Sequence, residues 1–240
     1  MKRIALLLFA AICALGALAE TYVVCVGVGN YADQRINDLT KTEDDAKAMA
    51  TFFRRATDNV IVITGRYATR QRIVDSLASQ FARAQQGDRI IFYFSGHGYP
   101  GGFCPHDITS VADGLSYAKI FSIMRRSAAT DKIIFADACN SGAIRPDTPP
   151  APPQPDNILM FLSSRGDESS IESPYMANGY FTRHLLRGLR GGADADGNRR
   201  ITARELFRHV SAGVAHQTHD RQHPVMWGNF PDDLVIVRYR

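Results

Sequence analysis

What most limits how this chain can fold is a set of uninterrupted apolar runs, each broken off by glycine or a small polar residue. "RIIFYFSG" (Arg89–Gly96) and "KIIFADA" (Lys132–Ala138) show no alternation of apolar with polar side chains. A strand with one face in water alternates, whereas a strand that is apolar throughout must be covered on both faces. "TYVVCVGVGNY" (Thr21–Tyr31), "NVIVIT" (Asn59–Thr64) and "NILMFLSS" (Asn157–Ser164) have the same character. Helical spacing fills the intervals. Helices are expected over Thr42–Arg55, where "TEDD" reads as a capping-box-like start, and over Thr69–Gln86, where Ile73, Leu77 and Phe81 share a face and Gly87 is the stop. Further helices are expected over Tyr117–Ser127, Phe181–Arg190 and Thr202–Gln217, and "DDLVIVRY" (Asp232–Tyr239) is expected as the closing sixth strand. The expected fold class is therefore α/β: a mainly parallel six-stranded sheet with helices on both faces.

Residues 1–19 stand apart. Lys2 and Arg3 are followed by an apolar run from Ile4 to Leu18 and by "ALA" (Ala17–Ala19), the pattern of a secretory signal with a small-residue cleavage site. The run is short for a bilayer span, and an uncleaved anchor is the competing reading. The expectation is export to the periplasm or the medium, with no stable membrane insertion after cleavage. Losing Lys2 and Arg3 takes the formal charge from +4 to +2, which gives no case for nucleic acid or an anionic membrane as partner. Of four cysteines, Cys25, Cys104 and Cys139 remain, an odd number that leaves at least one thiol outside any disulfide. Cys25 reads as a small core residue, while Cys104 falls in a loop and has no assigned role. "AIRPDTPPAPPQPDN" (Ala143–Asn157) holds six prolines and reads as an exposed loop. It divides the 20–240 domain into a larger part, 20–142, and a smaller one, 158–240, without separating independent folds.

Two of the apolar strands end in reactive side chains. "YFSGHG" delivers His97 and "DACNSG" delivers Cys139, each where a strand gives way to a loop, and in parallel α/β sheets functional groups collect beyond the carboxyl ends of the strands. A deprotonated thiol is a nucleophile, and an imidazole can take its proton and later protonate a leaving amine. The amides of Gly98 and Cys139 are candidate donors to the oxyanion of an acyl-transfer intermediate.

These two motifs, in this order, resemble the caspase-like cysteine peptidases (the caspase–hemoglobinase fold), specifically the metacaspase and bacterial orthocaspase branch. "VVCVGVGNY…INDLTKTEDDAKAM", "FLSSRGDESSIE…GYFTRHLLRGL" and "RQHPVMWG" extend the resemblance over nearly all of Thr21–Tyr239. It implies that His97 and Cys139 form a catalytic dyad. One departure is Asn140, where that family often carries histidine. Asp137 lies two residues before Cys139, so on a strand both point to the same side. A bare carboxylate there opposes thiolate formation unless a substrate cation sits on it. The resemblance agrees, implying cleavage of polypeptides after Arg or Lys, with Asp45 and Ser95 as further walls of the pocket. Self-cleavage after Arg145 is expected. The alternative is a non-enzymatic module of the same fold that binds partners or calcium.

No cofactor is required by this chemistry, and calcium is the one candidate ion. "DADGNRRITARE" places Asp194, Asp196, Asn198 and Glu205 at ligand positions of a calcium loop, although Arg199 stands where the turn glycine belongs. "TARE" is equally a capping box that needs no metal. His209, His216, His219 and His223 lack the companions of a zinc site and read as a solvated helix end. Gly27 and Gly29 do not complete a dinucleotide fingerprint. Oligomeric state is left open by the pattern.

Overall fold

A computed structural model describes residues 19–138, 158–165, 177–228, 230–231 and 233–239. The central sheet is built from β1 (Thr21–Gly27), β2 (Val60–Thr64), β3 (Arg89–Gly96), β7 (Asp131–Ala138), β8 (Ile158–Leu162) and β10 (Val225–Trp227), in the order β10-β8-β7-β3-β1-β2. Five of these strands run parallel, and β10 pairs antiparallel with β8 at one edge. The mainly parallel six-stranded sheet is thus present, but its sixth strand is not the one expected. The C-terminal run forms β11 (Val235–Arg238), which pairs with β9 (Arg200–Thr202) in a separate two-stranded ribbon. The sixth place is taken by β10 on β8, and the terminal run finds its partner in β9 instead.

Both faces of the sheet are covered, as continuous apolar strands require. Even-numbered side chains of β3 (Ile90, Phe92, Phe94) pack with α2 (Arg70–Phe81) and α3 (Tyr117–Arg126) through Ile73, Leu77, Ile120 and Met124. Odd-numbered ones (Ile91, Tyr93) face α1 (Thr42–Phe53), α4 (Tyr180–Arg187) and α5 (Ala203–Gln217), meeting Met49, Leu185 and Leu206. Three short strands, β4 (Gly98–Tyr99), β5 (Gly102–Phe103) and β6 (Leu115–Ser116), form a small antiparallel sheet just beyond His97. Cys104, left without a role by the sequence, is buried there, and its amide donates to the His97 carbonyl at 2.9 Å.

Helices α1, α2 and α4 end earlier than expected, at Phe53, Phe81 and Arg187, and after Arg187 the chain enters the Gly188–Gly192 turn. At α1 the N-cap is Lys41 without a side-chain bond; Thr42 lies one residue inside the helix, its hydroxyl buried and unpartnered, so no capping box forms. Helix α2 stops at Phe81, because the Asp88 carboxylate takes the Gln85 amide at 2.8 Å and closes a turn before Gly87. At α5 the capping box is present: the Thr202 hydroxyl accepts from the Glu205 amide, and the Glu205 carboxylate accepts from the Thr202 amide at 2.9 Å. Among the described residues no helix is long and apolar enough to cross a membrane.

Candidate active site

The strand order changes direction at β1, with β2 added on one side and β3 on the other, and in open α/β sheets the carboxyl ends of the strands at such a switch point are where a ligand crevice forms. His97 leaves β3 at this end. The loop after β1 holds it at two points. The Tyr31 hydroxyl accepts the His97 backbone N–H at 2.9 Å, with the two rings 5.2 Å apart, and the Asn37 carbonyl lies 2.8 Å from Nε2. A carbonyl can only accept, so Nε2 carries a proton, and in the neutral ring the lone pair is then on Nδ1. Gly96 is what lets Tyr31 come this close, since a Cβ there would stand 3.2 Å from its hydroxyl and 3.0 Å from the Phe94 ring. Neither Tyr31 nor Asn37 is singled out by the sequence; a tyrosine after a strand looks like any core aromatic.

Cys139 lies outside the described residues, as do Asn140 and the proline-rich segment with Arg145. The strand that leads to Cys139 is described to Ala138, and its register is unambiguous: Ser95 pairs with Asp137 and Gly96 with Ala138. The residues preceding His97 and Cys139 are therefore side by side.

Asp45, Ser95 and Asp137 converge on the α1/α4 side of the sheet. Asp45 is 1% exposed, Ser95 1% and Asp137 8%. Ser95 Oγ donates to Asp45 Oδ2 at 3.3 Å. The N-terminus of α4 closes over both carboxylates: Asn178 Nδ2 and the Gly179 amide donate to Asp45 Oδ1 at 2.7 and 3.2 Å, and the Thr182 amide and hydroxyl donate to Asp137 Oδ2 at 3.2 and 2.7 Å. Because the Thr182 hydroxyl proton goes to Asp137, the Tyr93 hydroxyl, 2.6 Å away, donates to Thr182 Oγ1. Helix α4 has no acidic residue in its own first turn. The two carboxylates supply the negative charge that its positive end favours. Burial pushes the Asp45 carboxyl up, to about 8, and the Asp137 charge beside it adds to the rise; the bonds from Asn178, Gly179 and Ser95 only partly offset this. The burial and the neighbouring charge both favour the protonated form of Asp45. Asn178, Gly179 and Thr182 were not legible as site residues; the lack of an acid in the "YFTR" turn is a sequence signal that could have found them.

The acidic loop is built differently. Asp194, Asp196 and Glu205 bring carboxylate oxygens within 4.8 Å of one another. Their oxygens are engaged: Asp194 Oδ2 by the Arg199 amide at 3.0 Å and the Tyr239 hydroxyl, Asp196 by Asn198, and Glu205 Oε2 by Thr202 Oγ1 at 2.7 Å. Arg199 adopts the left-handed conformation, φ 61°, that a glycine would favour at that loop position. Of the four histidines, His216 and His219 are exposed as expected, but His209 packs against the Gly188–Gly192 turn with Nε2 buried and unpartnered. Burial lowers its proton affinity, with His184 and Arg187 adding to the effect.

An open α/β sheet with a tethered histidine at its carboxyl end, next to a buried pair of carboxylates, defines a caspase-like domain. The family model of the caspase domain matches residues 21–235, and the chain belongs to that family of peptidase domains. A probable protease of a Desulfuromonadales bacterium is 27% identical over 197 residues, which is 71% of this chain and 22% of that protein. The chain thus spans about a fifth of that relative's length. The crystal structure of a Geobacter sulfurreducens protein superposes with a TM-score of 0.68 at 16% identity, covering 89% of this chain and 95% of that one, a likeness of fold.

Proposed function

We propose that the chain is a cysteine endopeptidase of the metacaspase and orthocaspase type that cleaves after Arg or Lys. The observation that carries the specificity is the convergence of Asp45, Ser95 and Asp137 in one buried acidic pocket beside the β3–β7 register that leads to His97 and Cys139. An isolated carboxylate could be a helix cap; two buried at the same helix end, close enough for the charge of one to raise the proton affinity of the other, suit a guanidinium or ammonium.

In this reading the Cys139 thiol gives its proton to His97 Nδ1 as sulfur bonds to the scissile carbonyl carbon. The Asn37 carbonyl steadies the imidazolium through Nε2–H. The amides of Gly98 and Cys139 receive the oxyanion. Collapse of the intermediate breaks the C–N bond, the imidazolium proton passes to the leaving amine, and water, deprotonated by His97, hydrolyses the thioester.

The test is hydrolysis of fluorogenic peptides ending in Arg, Lys, Asp or Leu, with calcium and with chelator. Arg and Lys peptides are expected to turn over, and Cys139→Ala or His97→Ala to lose at least about a thousandfold in kcat. Turnover that survives Cys139→Ala, or a preference for Asp, overturns the reading. No turnover in either condition would favour the binding module.

A further inference from the structure

At the opposite end of the sheet, roughly 23 Å along β3 from its carboxyl end, a cleft of about 410 Å3 opens between α1, the Gly188–Gly192 turn and β11. Its floor is apolar: Phe53, Ile91, Leu189 and Ile236 are each at most 6% exposed. Its rim carries Arg55, Arg190 and Arg238, all exposed. None of these three guanidinium groups has a hydrogen-bond or ion-pair partner among the described residues, and no lining residue is acidic. The fourth arginine of the cleft shows the contrast. Arg89 is fully engaged, by Asp131 at 2.5 Å and by the Val235 and Ile236 carbonyls at 2.8 Å each.

Three cations around one cavity, without an ion-pair partner among the described residues, repel one another, and an anion between them removes that repulsion. An inorganic anion would leave the apolar floor wet, and a neutral hydrocarbon would leave the arginines unmatched. The volume lies within the range of small-molecule sites, and such sites combine an apolar lining with a few convergent polar groups. We infer that this cleft binds an apolar carboxylic acid, its aliphatic or aromatic body on the Phe53–Leu189 floor and its carboxylate against Arg55, Arg190 and Arg238. Nothing in the proposed peptidase chemistry uses this cleft, so the inference stands independently of it.

The test is a fluorescence titration of the full chain with 1-anilinonaphthalene-8-sulfonate, displaced by decanoate, decanol, decylammonium or inorganic phosphate. Saturable binding displaced by decanoate well before the other three is expected. The exposed-site variants Arg55→Gln and Arg190→Gln should each weaken decanoate by about three- to tenfold, while Arg66→Gln, outside the cleft, should not. Wild-type decanoate affinity should also fall as salt is raised, with decanol unaffected. Displacement by decanol or phosphate equal to that by decanoate, unchanged affinity in both cleft variants, absence of salt dependence, or no saturable binding would each overturn the inference.

Discussion

At the scale of single residues, the decisive group is Asp45. Its proton affinity in the folded chain is raised, to about 8, chiefly by burial and then by Asp137. Above the unfolded value the folded state binds the extra proton, so stability is fully present below about pH 4 and is lost as pH rises toward 8. A bound cation reverses the balance by favouring the ionised pair. The affinity of an arginine-mimicking inhibitor such as benzamidine should therefore strengthen as pH rises through about 8 and level off above, with proton uptake by the buffer seen in calorimetry. Asp45→Asn should flatten this profile and, compared with wild type, remove the decline in stability between pH 4 and 8. A pH-independent affinity in the wild type would show that the pair is not proton-linked to the cation. Asp45 and Ser95 were reached only through the family resemblance, whereas Asp137 was legible because strand parity puts a carboxylate beside the proposed nucleophile. Tyr31 and Asn37 were not, because a phenol and a backbone carbonyl acquire their role only when the loop after β1 folds back over His97.

At the scale of elements, the site depends on one helix end. The β-strands before it were readable from apolar runs, since burial on both faces leaves a mark in every residue. The start of α4 leaves almost none: its caps come from Asp45 and Asp137, distant in sequence, in place of a local Ser, Thr or Asp. The sixth strand escaped for a related reason, since β10 is a three-residue edge after Pro224 with half-exposed side chains, weaker in pattern than the terminal "LVIV". Gly179 is the position where the α4 start meets both acids. An alanine Cβ there would stand 3.0 Å from Asp137 Oδ2 and 3.3 Å from Asp45 Oδ2. Gly179→Ala should lower kcat/KM on Arg peptides by roughly tenfold, mainly through KM. Thr202→Ala is the matched control: it removes the capping box of α5 and should cost about 1 kcal/mol in stability while leaving kcat/KM unchanged. If the two variants behave alike, the α4 end is only a cap and not part of a substrate pocket.

At the scale of the whole molecule, the two proposed sites lie at opposite ends of one sheet, and the middle of that sheet decides what the proposed self-cleavage would do. Strand β8 lies beside β7 in parallel over the pairs Lys132–Ile158 to Ala136–Leu162. It is buried on both faces, with Leu159 and Phe161 in one core and Ile158, Met160 and Leu162 in the other. The proposed cut after Arg145 falls in the chain between these strands, so a nick there separates two pieces that share one sheet and two cores. Each piece alone would expose an apolar strand edge, and burial of such an edge is the dominant favourable term in association. The wild-type protein should thus yield two bands on a denaturing gel after incubation, with a break after Arg145 by mass spectrometry, and still elute as one particle under native conditions. Cys139→Ala should stay a single band at unchanged melting temperature, because it removes only the proposed nucleophile. Arg145→Ala should stay intact and still bind benzamidine, since Arg145 is the proposed cleavage position and not one of the residues assigned to the acidic pocket. Fragments that part under native conditions would contradict the shared core; an active wild-type chain that stays whole would remove self-processing and leave the pocket's cation specificity to stand on its own test.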